Sequence, residues 1–182
     1  MATEKYGIFA TLGTSLASTP VSTATEVVFI GGAKCEDYNG DQLDPHLNEP
    51  IMIKSVAEYN SIFGGEIGDG WSLSEAVESA FSICNLDHIF VINVYDPEGM
   101  SQESDITETE IKGLPAYDSG IYAINKIYPK FGVVPNILCC PLMSSTSLNN
   151  ALKTACTKIN GKFDAVVLAD IPEADAQIIN GI

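Results

Sequence analysis

The stretch "SLSEAVESAFSICNLDHIFVINVYDP" (Ser72–Pro97) decides the fold class, because a helix pattern runs directly into the pattern of a buried strand. Apolar residues recur at helical spacing in its first half and form one continuous face. That face consists of Leu73, Ala76, Val77, Ala80, Phe81 and Cys84. Ser72 and Glu75 fit a capping box at the start of the helix. The second half, "HIFVINVYDP", is an almost unbroken apolar run, which is typical of a strand covered on both faces.

The same alternation continues on both sides of this stretch. Further apolar strands are predicted at "TEVVFIGGA" (25–33), "VVPNILCCP" (133–141) and "FDAVVLADIP" (163–172), and "IMIKS" (51–55) is a shorter candidate. Helices are predicted at "VAEYNSIFG" (56–64) and at "TSLNNALKTACTKING" (146–161). Another helix is predicted to begin after Asp118, which would cap it. Strands that alternate with helices predict an α/β fold, with a mostly parallel sheet flanked by helices.

The chain divides into an arm and a core. Residues 1–20 alternate between small, polar and apolar residues, which favours an extended N-terminal arm over a packed element. Residues 21–182 form the α/β core, with a β-rich surface excursion at about 34–70 that begins with the polar, turn-rich stretch "KCEDYNGDQLDPHLNEP". We expect this core to be incomplete at its C-terminal side.

Charge excludes several classes of function. The chain has 24 acidic residues against 9 basic ones, all of them lysine, and its formal net charge is −15. Nucleic acids and anionic membranes are bound through basic clusters, and bidentate phosphate recognition needs arginine, so we expect neither kind of partner. The run Asp96–Glu110 holds six acids and no base, and we interpret it as a solvated loop. No apolar run approaches the ~20 residues of a membrane span, and the start has no secretory signature.

The sequence offers few candidate catalytic or metal-binding residues. Strand ends place Asp96 and Asp170 where α/β enzymes bind ligands, so a Mg²⁺ site is one interpretation and ordinary turn chemistry is the other. "GGAK" is too short for a phosphate loop, and "GTSLA" (13–17) lacks the final glycine of a nucleophile elbow. His46 and His88 have no nucleophile at a recognisable spacing. Trp71, just before a helix, is expected to pack as a staple.

The cysteines suggest structure rather than reactivity. Their number is odd and no C-x-x-C occurs, so we expect reduced, buried thiols. They are Cys35, Cys84, Cys139, Cys140 and Cys156. Neighbouring strand residues point to opposite faces, so Cys139 and Cys140 are not expected to share a site.

Several segments, in order, resemble the tail sheath proteins of contractile phages and phage-tail-like particles. They are "YGIFATLG", "PVSTATEVVFIGGA", "LNEPIMIKSVAEYNSIFG", "SLSEAVESAFSICNLDHIFVINV", "GVVPNILCCP" and "DAVVLADIP". The most specific is the family's "Leu-Asn-x-Pro" followed by an aliphatic triplet and a helix that ends in Phe-Gly. Family members usually continue well beyond this point, and the acidic insert at 96–110 departs from their pattern.

The resemblance implies a structural protein and no enzyme, with no catalytic residue, cofactor or metal. It implies subunits that polymerise helically around a tail tube and contract, assembling in the bacterial cytoplasm before they become part of a virion tail or phage-tail-like particle. Expected partners are copies of the chain itself, the tube protein, and baseplate and terminator proteins. The arm is expected to add a strand to a neighbour's sheet. Its residues are Lys5, Tyr6, Gly7, Ile8, Phe9, Ala10 and Thr11. A Mg²⁺-dependent enzyme and a non-polymerising baseplate adaptor are the alternatives.

Overall fold

A computed structural model of the chain describes residues 25–65 and 69–169. The predicted arm at 1–20 and Asp170 lie outside the described residues. Five strands form one sheet in the order β2-β3-β1-β4-β5. They are β1 (Val27–Gly31), β2 (Pro50–Ile53), β3 (Ile89–Asn93), β4 (Ile137–Cys139) and β5 (Val166–Leu168). The predicted α/β class is therefore confirmed.

Four of the five strands run parallel. β1 lies at the centre between β3 and β4, and β5 continues the parallel set beyond β4. β2 is antiparallel to β3 at one edge, with Ile51 opposite Val91. The candidate strand "IMIKS" is thus real, and it makes the sheet mixed because the excursion after β1 folds back beside β3 before the first helix.

Helices cover both faces of the sheet. The α-helices are α1 (Val56–Phe63), α2 (Ser72–Glu78), α3 (Glu108–Lys112), α4 (Ile127–Phe131) and α5 (Thr146–Ala155). Shorter 3₁₀ segments occur at Glu103–Asp105, Pro115–Tyr117 and Gly120–Lys126, the last running directly into α4. α2 contacts β1 and β3, whereas α5 contacts β5 and the 120–126 segment.

Strand register assigns each side chain to a face. A Cβ on Gly31 would meet Ser72 and Leu73 of α2, so alternate residues Val27 and Phe29 also face α2. The other face carries Phe90, whose ring lies 5.1 Å from that of Phe131 in α4. Residues opposite Phe90 along the sheet, such as Val28 and Leu138, share that face and are fully buried. The core therefore lies mainly between β1, β3 and the 120–131 helical stretch.

The helix from Ser72 departs from its predicted face near its end. After Glu78 the backbone becomes a π-helical turn, Ser79–Ile83, in which the Cys84 N–H donates to Ser79 O over 3.1 Å. A π turn inserts one extra residue and rotates every later side chain around the axis. Ala80 remains buried, but Cys84 is exposed, so its predicted place on the buried face is wrong.

Two other helix boundaries also differ from expectation. Asp118 does not cap the 120–126 segment; Ser119 is the capping residue, and Asp118 closes the preceding 3₁₀ turn in a left-handed conformation. α5 ends at Ala155 rather than near Gly161. Beyond it, Ile159 pairs with Phe163 in a small antiparallel bridge that leads into β5.

One half of the α2-facing side of the sheet is uncovered by the described residues. Val166 and Leu168 of β5 are 61% and 52% exposed, and Leu142 beside them is 67% exposed. On the opposite face, Val167 packs against the core. This asymmetry leaves an open apolar groove beside α2.

Candidate functional site

The carboxyl ends of β1 and β3 meet where α2 begins, which is the region where open α/β sheets usually bind ligands. Ser72 was predicted to cap α2 together with Glu75, and this is wrong. Trp71 is the residue before the first helical turn, and Ser72 is the first helical residue. The Ser72 hydroxyl instead accepts a hydrogen bond of 2.9 Å from the Gly32 N–H. Ser72 therefore ties α2 to the end of β1.

Trp71 packs as expected. It is 8% exposed, and its ring lies 4.6 Å from the ring of Tyr95 in an edge-to-face arrangement. Such pairs add roughly 0.5–1.5 kcal/mol beyond the area that they bury. The Tyr95 hydroxyl donates to Met100 O over 3.1 Å, which joins the loop after β3 to this corner.

The acidic run that was interpreted as a solvated loop reaches into this site. Glu103 Oε1 accepts from the Ser72 N–H over 3.3 Å, at the start of α2. Its Oε2 atom is buried and has no hydrogen-bond partner among the described residues. Burial raises the pKa of Glu103, and hydrogen bonds to Ser72 offset part of that rise. The loop is anchored beside it by Ile106, which is 4% exposed, so the solvated interpretation is wrong for this part of the run.

Glu103 occupies the place that an anionic ligand would take. The first turn of a helix attracts negative charge, and here a carboxylate of the chain itself lies against it. The backbone at Gly32 approaches Glu103 so closely that a Cβ there would clash with Glu103 Oε2 and with Ile106. The geometry at this end of the sheet is that of a packed corner.

We therefore expect Gly32→Ala to destabilise the fold by about 1–3 kcal/mol, since overpacking a buried site costs this much. Urea denaturation measures the effect. Gly99→Ala is the matched control, because a Cβ at Gly99 meets nothing within 4 Å. Equal stability of both variants would show that Glu103 moves away at little cost.

Asp96, the candidate metal ligand, is used in a turn. Its carboxylate accepts from the Glu98 N–H over 3.1 Å, and its carbonyl accepts from Gly99 and Met100. Asp170, its proposed partner, lies outside the described residues. Within residues 25–65 and 69–169, no group of three or more His, Cys, Asp or Glu side chains is placed to hold a metal ion.

The two histidines have separate partners. His88 Nε2 lies 2.7 Å from Glu26 Oε2, and the Glu26 side chain is only 4% exposed. His46 Nδ1 lies 3.8 Å from Asp44 Oδ2 near the surface, and its ring contacts Phe63 edge-on. Neither arrangement includes a serine or cysteine nucleophile.

The thiols in the core are poor nucleophiles. Burial raises the pKa of Cys35 to about 12 and that of Cys156 to about 11. Cys140 is buried, whereas Cys139 is half-buried on the α2-facing side, as strand alternation predicted. The thiolate is the reactive form, so a raised pKa favours the structural interpretation of Cys35 and Cys156.

Asn93 makes several hydrogen bonds at this edge, and its place inside an apolar run did not predict them. It is fully buried. Its Oδ1 accepts from the Ala33 and Tyr95 N–H groups, both over 3.0 Å. Its Nδ2 donates to Pro45 O over 2.8 Å and to Tyr95 O over 3.0 Å. One side chain thereby joins the ends of β1 and β3 to the excursion before β2.

The "Leu-Asn-x-Pro" residues serve the backbone. Asn48 has a left-handed φ of 57°, and its Oδ1 accepts from the Gly120 N–H over 2.6 Å. Its carbonyl accepts from Lys126 Nζ over 2.9 Å, and the Pro50 carbonyl accepts from Lys130 Nζ over 3.2 Å. The start of β2 is therefore fastened to the 120–131 helical stretch.

The two edges of the sheet differ as a result. At β2, Pro50 offers no N–H, and lysines occupy neighbouring carbonyls; proline and lysine are common means of blocking an edge. At β5, no described strand pairs with the outer side. The Val166 N–H donates inward to Asn136 O, so alternation points the Val167 N–H outward. β5 is the edge that is able to accept another strand.

Comparison with models of known protein families gives no match, and comparison with curated proteins gives no match either. Among the described helices, none has the length and apolar character needed to cross a membrane.

Proposed function

We propose that this chain is a structural subunit of a contractile tail sheath. Copies of it polymerise helically around a tail tube, and a change in their packing drives the tube through a membrane. The partners are other copies, the tube protein, and baseplate and terminator proteins. The subunit needs no cofactor and performs no catalysis.

The main support is the ordered series of sheath-like segments, which now has a physical interpretation. In "LNEPIMIKSVAEYNSIFG" the asparagine, the proline and the final glycine make contacts that position the chain's own backbone. Gly64 has a φ of 66°, and a Cβ there would clash with the backbone of Glu36. These residues fix backbone geometry, as a structural motif does.

The edges of the sheet support strand addition. Because the β2 edge carries Pro50 and lysine contacts, an incoming strand is expected at β5, where the Val167 N–H points outward. The predicted strand of the arm, 5–11, is the proposed donor. Main-chain hydrogen bonds then join subunits that still pivot on the linker "GTSLASTP".

Net charge makes assembly dependent on salt. At −15 per subunit, like-charge repulsion opposes polymerisation, and added salt screens it, with a Debye length of about 10 Å at 0.1 M. We expect tubes or longer polymers to increase with ionic strength, as measured by light scattering and negative-stain electron microscopy of the full chain. Discrete particles at every salt concentration would favour the baseplate adaptor, and a polymer size that ignores salt would contradict the electrostatic argument.

A further inference from the structure

Residues 36–42 form a tight acidic turn between β1 and β2, and its shape is fixed by its own hydrogen bonds. Its first and last residues pair as an antiparallel bridge. Asp37 Oδ1 accepts from the Asn39 N–H over 2.8 Å and from the Asp41 N–H over 2.9 Å. The acidic turn contains three carboxylates and no base. Hydrogen bonds, first of all from the Asp41 backbone, hold the pKa of Asp37 below its usual value, so the turn keeps this charge at neutral pH.

Tyr38 lies at the tip of the acidic turn and is 94% exposed. Its ring therefore makes almost no contact with the described part of its own chain. An aromatic side chain that docks on a partner removes about 150–250 Å² from water, and tyrosine is enriched among the residues that contribute most to binding. Because the turn is already ordered, little conformational entropy is lost when it docks. The acidic turn is thus well suited to insert into a partner.

A pocket of about 690 Å³ lies elsewhere on the surface, between the start of β2, the 120–131 helical stretch and the loop after α5. Three of the nine lysines of the chain line this lysine pocket: Lys126, Lys130 and Lys158. Its two carboxylates already have partners. Glu49 lies 3.7 Å from Lys130 Nζ, and Asp118 accepts from Asn125 Nδ2 over 3.0 Å. The lysine pocket therefore concentrates positive charge on a chain whose net charge is −15.

The walls of the lysine pocket are held in place. The ammonium groups of Lys126 and Lys130 donate to carbonyls at the start of β2, and each retains further N–H groups for a ligand. The loop wall is fixed by the Asn160 N–H, which donates to Asn125 Oδ1 over 3.3 Å. Lys158 Nζ has no hydrogen bond or ion pair with the described residues, so its charge is open to a partner.

We propose that the acidic turn of one copy of the chain docks in the lysine pocket of a second copy. Tyr38 enters the pocket and packs against Pro129 and the aliphatic stems of the lysines. The ammonium groups of the lysines then lie close to the tyrosine ring and to the carboxylates of the turn. This self-association does not depend on the sheath function, because any two copies carry both surfaces.

Charge favours a second copy as the occupant. The acidic turn and the lysine pocket are complementary in charge, whereas the chain as a whole repels its copies. Added salt screens that long-range repulsion but weakens partly buried contact pairs much less. The contact is therefore compatible with polymers that increase with ionic strength.

Carbodiimide coupling tests the contact, because it joins a carboxylate to a lysine amine only where the two lie side by side. The full chain is mixed in isotopically heavy and normal forms, coupled, digested and analysed by mass spectrometry, so that a product carrying both labels reports a contact between copies. We expect residues 36–41 of one copy to couple to Lys126, Lys130 or Lys158 of the other. Tyr38→Ala should reduce this product by about tenfold, because it removes the aromatic side chain that fills the pocket.

A mixture of two variants tests whether the turn and the pocket act as partners. Lys158→Glu reverses a charge in the pocket and should also reduce the product by about tenfold. When heavy Tyr38→Ala is mixed with normal Lys158→Glu, the normal copy keeps its turn and the heavy copy keeps its pocket. The product should then return in one direction only, from normal turn to heavy lysines. Lys153→Glu makes the same charge change on the exposed side of α5, outside the pocket, and should leave the product as in the parent.

Folding is checked in each variant by alkylation with N-ethylmaleimide, from which the buried Cys35 and Cys156 should remain protected. Three results would overturn the proposal. Absence of the product in the parent would mean that the two surfaces do not meet. Equal product from the parent, Tyr38→Ala and Lys158→Glu would mean that coupling reflects random collisions. Loss of the product on addition of inorganic phosphate, but not of sodium chloride at the same ionic strength, would identify a small anion as the occupant.

Discussion

Asn93→Asp should destabilise the fold by roughly 3 kcal/mol or more at neutral pH, because it places an unpaired charge among buried carbonyl groups. The replaced Nδ2 donates to Pro45 O and Tyr95 O. A carboxylate oxygen in that position faces two acceptors with no proton between them. The other oxygen keeps its bonds to the Ala33 and Tyr95 N–H groups, so the loss is specific to the donor side.

The loss of folding stability caused by Asn93→Asp should depend on pH in a defined direction. Burial and nearby carbonyls disfavour the charged form, so the introduced carboxyl has a raised pKa in the folded state. Above that pKa the destabilisation is fully present, and it shrinks as the pH falls and the protonated acid donates to one carbonyl. Urea denaturation at several pH values measures this, with Asn150→Asp on the exposed side of α5 as the charge-matched control. A constant deficit across the pH range would contradict the explanation.

Removal of residues 1–12 should abolish tube formation while the core remains folded. Under the proposed function the arm supplies a strand to a neighbour, and the core described here gains no internal contact from that exchange. Electron microscopy under conditions that polymerise the full chain gives the readout. Circular dichroism and protection of Cys35 and Cys156 establish that the core is intact.

A matched pair on the acceptor side sharpens this experiment. Val167→Pro removes the N–H that points away from β4 and should also prevent tubes, whereas Val166→Ala keeps the backbone donors and should not. Normal tubes from the truncated chain would defeat strand addition altogether. If Val167→Pro still forms tubes while the truncated chain does not, the acceptor strand is not β5.

Features set by local periodicity were predictable from the sequence. β3 and the presence of the helix α2 follow from apolar spacing, and the parallel sheet follows from their alternation. The antiparallel placement of β2 was not predictable, because it depends on how the excursion folds back beside β3. The π turn at Ser79–Ile83 also left no mark in the spacing, which continued as if the helix were regular.

The polar residues of the site escaped prediction for a different reason. Glu103 stands in a run of acids that looks solvated, and only the fold reveals that it lies against the first turn of α2. Asn93 interrupts an apolar strand by a single residue, and its role depends on Ala33 and Pro45, which are distant in sequence. The hydrogen-bond partners of a buried polar side chain are set by tertiary structure.

The unequal sheet edges have a consequence for any polymer built by strand exchange. With the β2 margin blocked by proline and lysine, an arm donated by a neighbour joins at β5, so donor and acceptor are different surfaces and the joint is head-to-tail. Joints of this kind close into rings where the rotation between subunits permits it and otherwise generate open-ended arrays. Such an array has two chemically distinct termini. Each added subunit then presents the same kind of end as the one before it, so growth is polar. The orientation of the first subunit sets the orientation of the whole array.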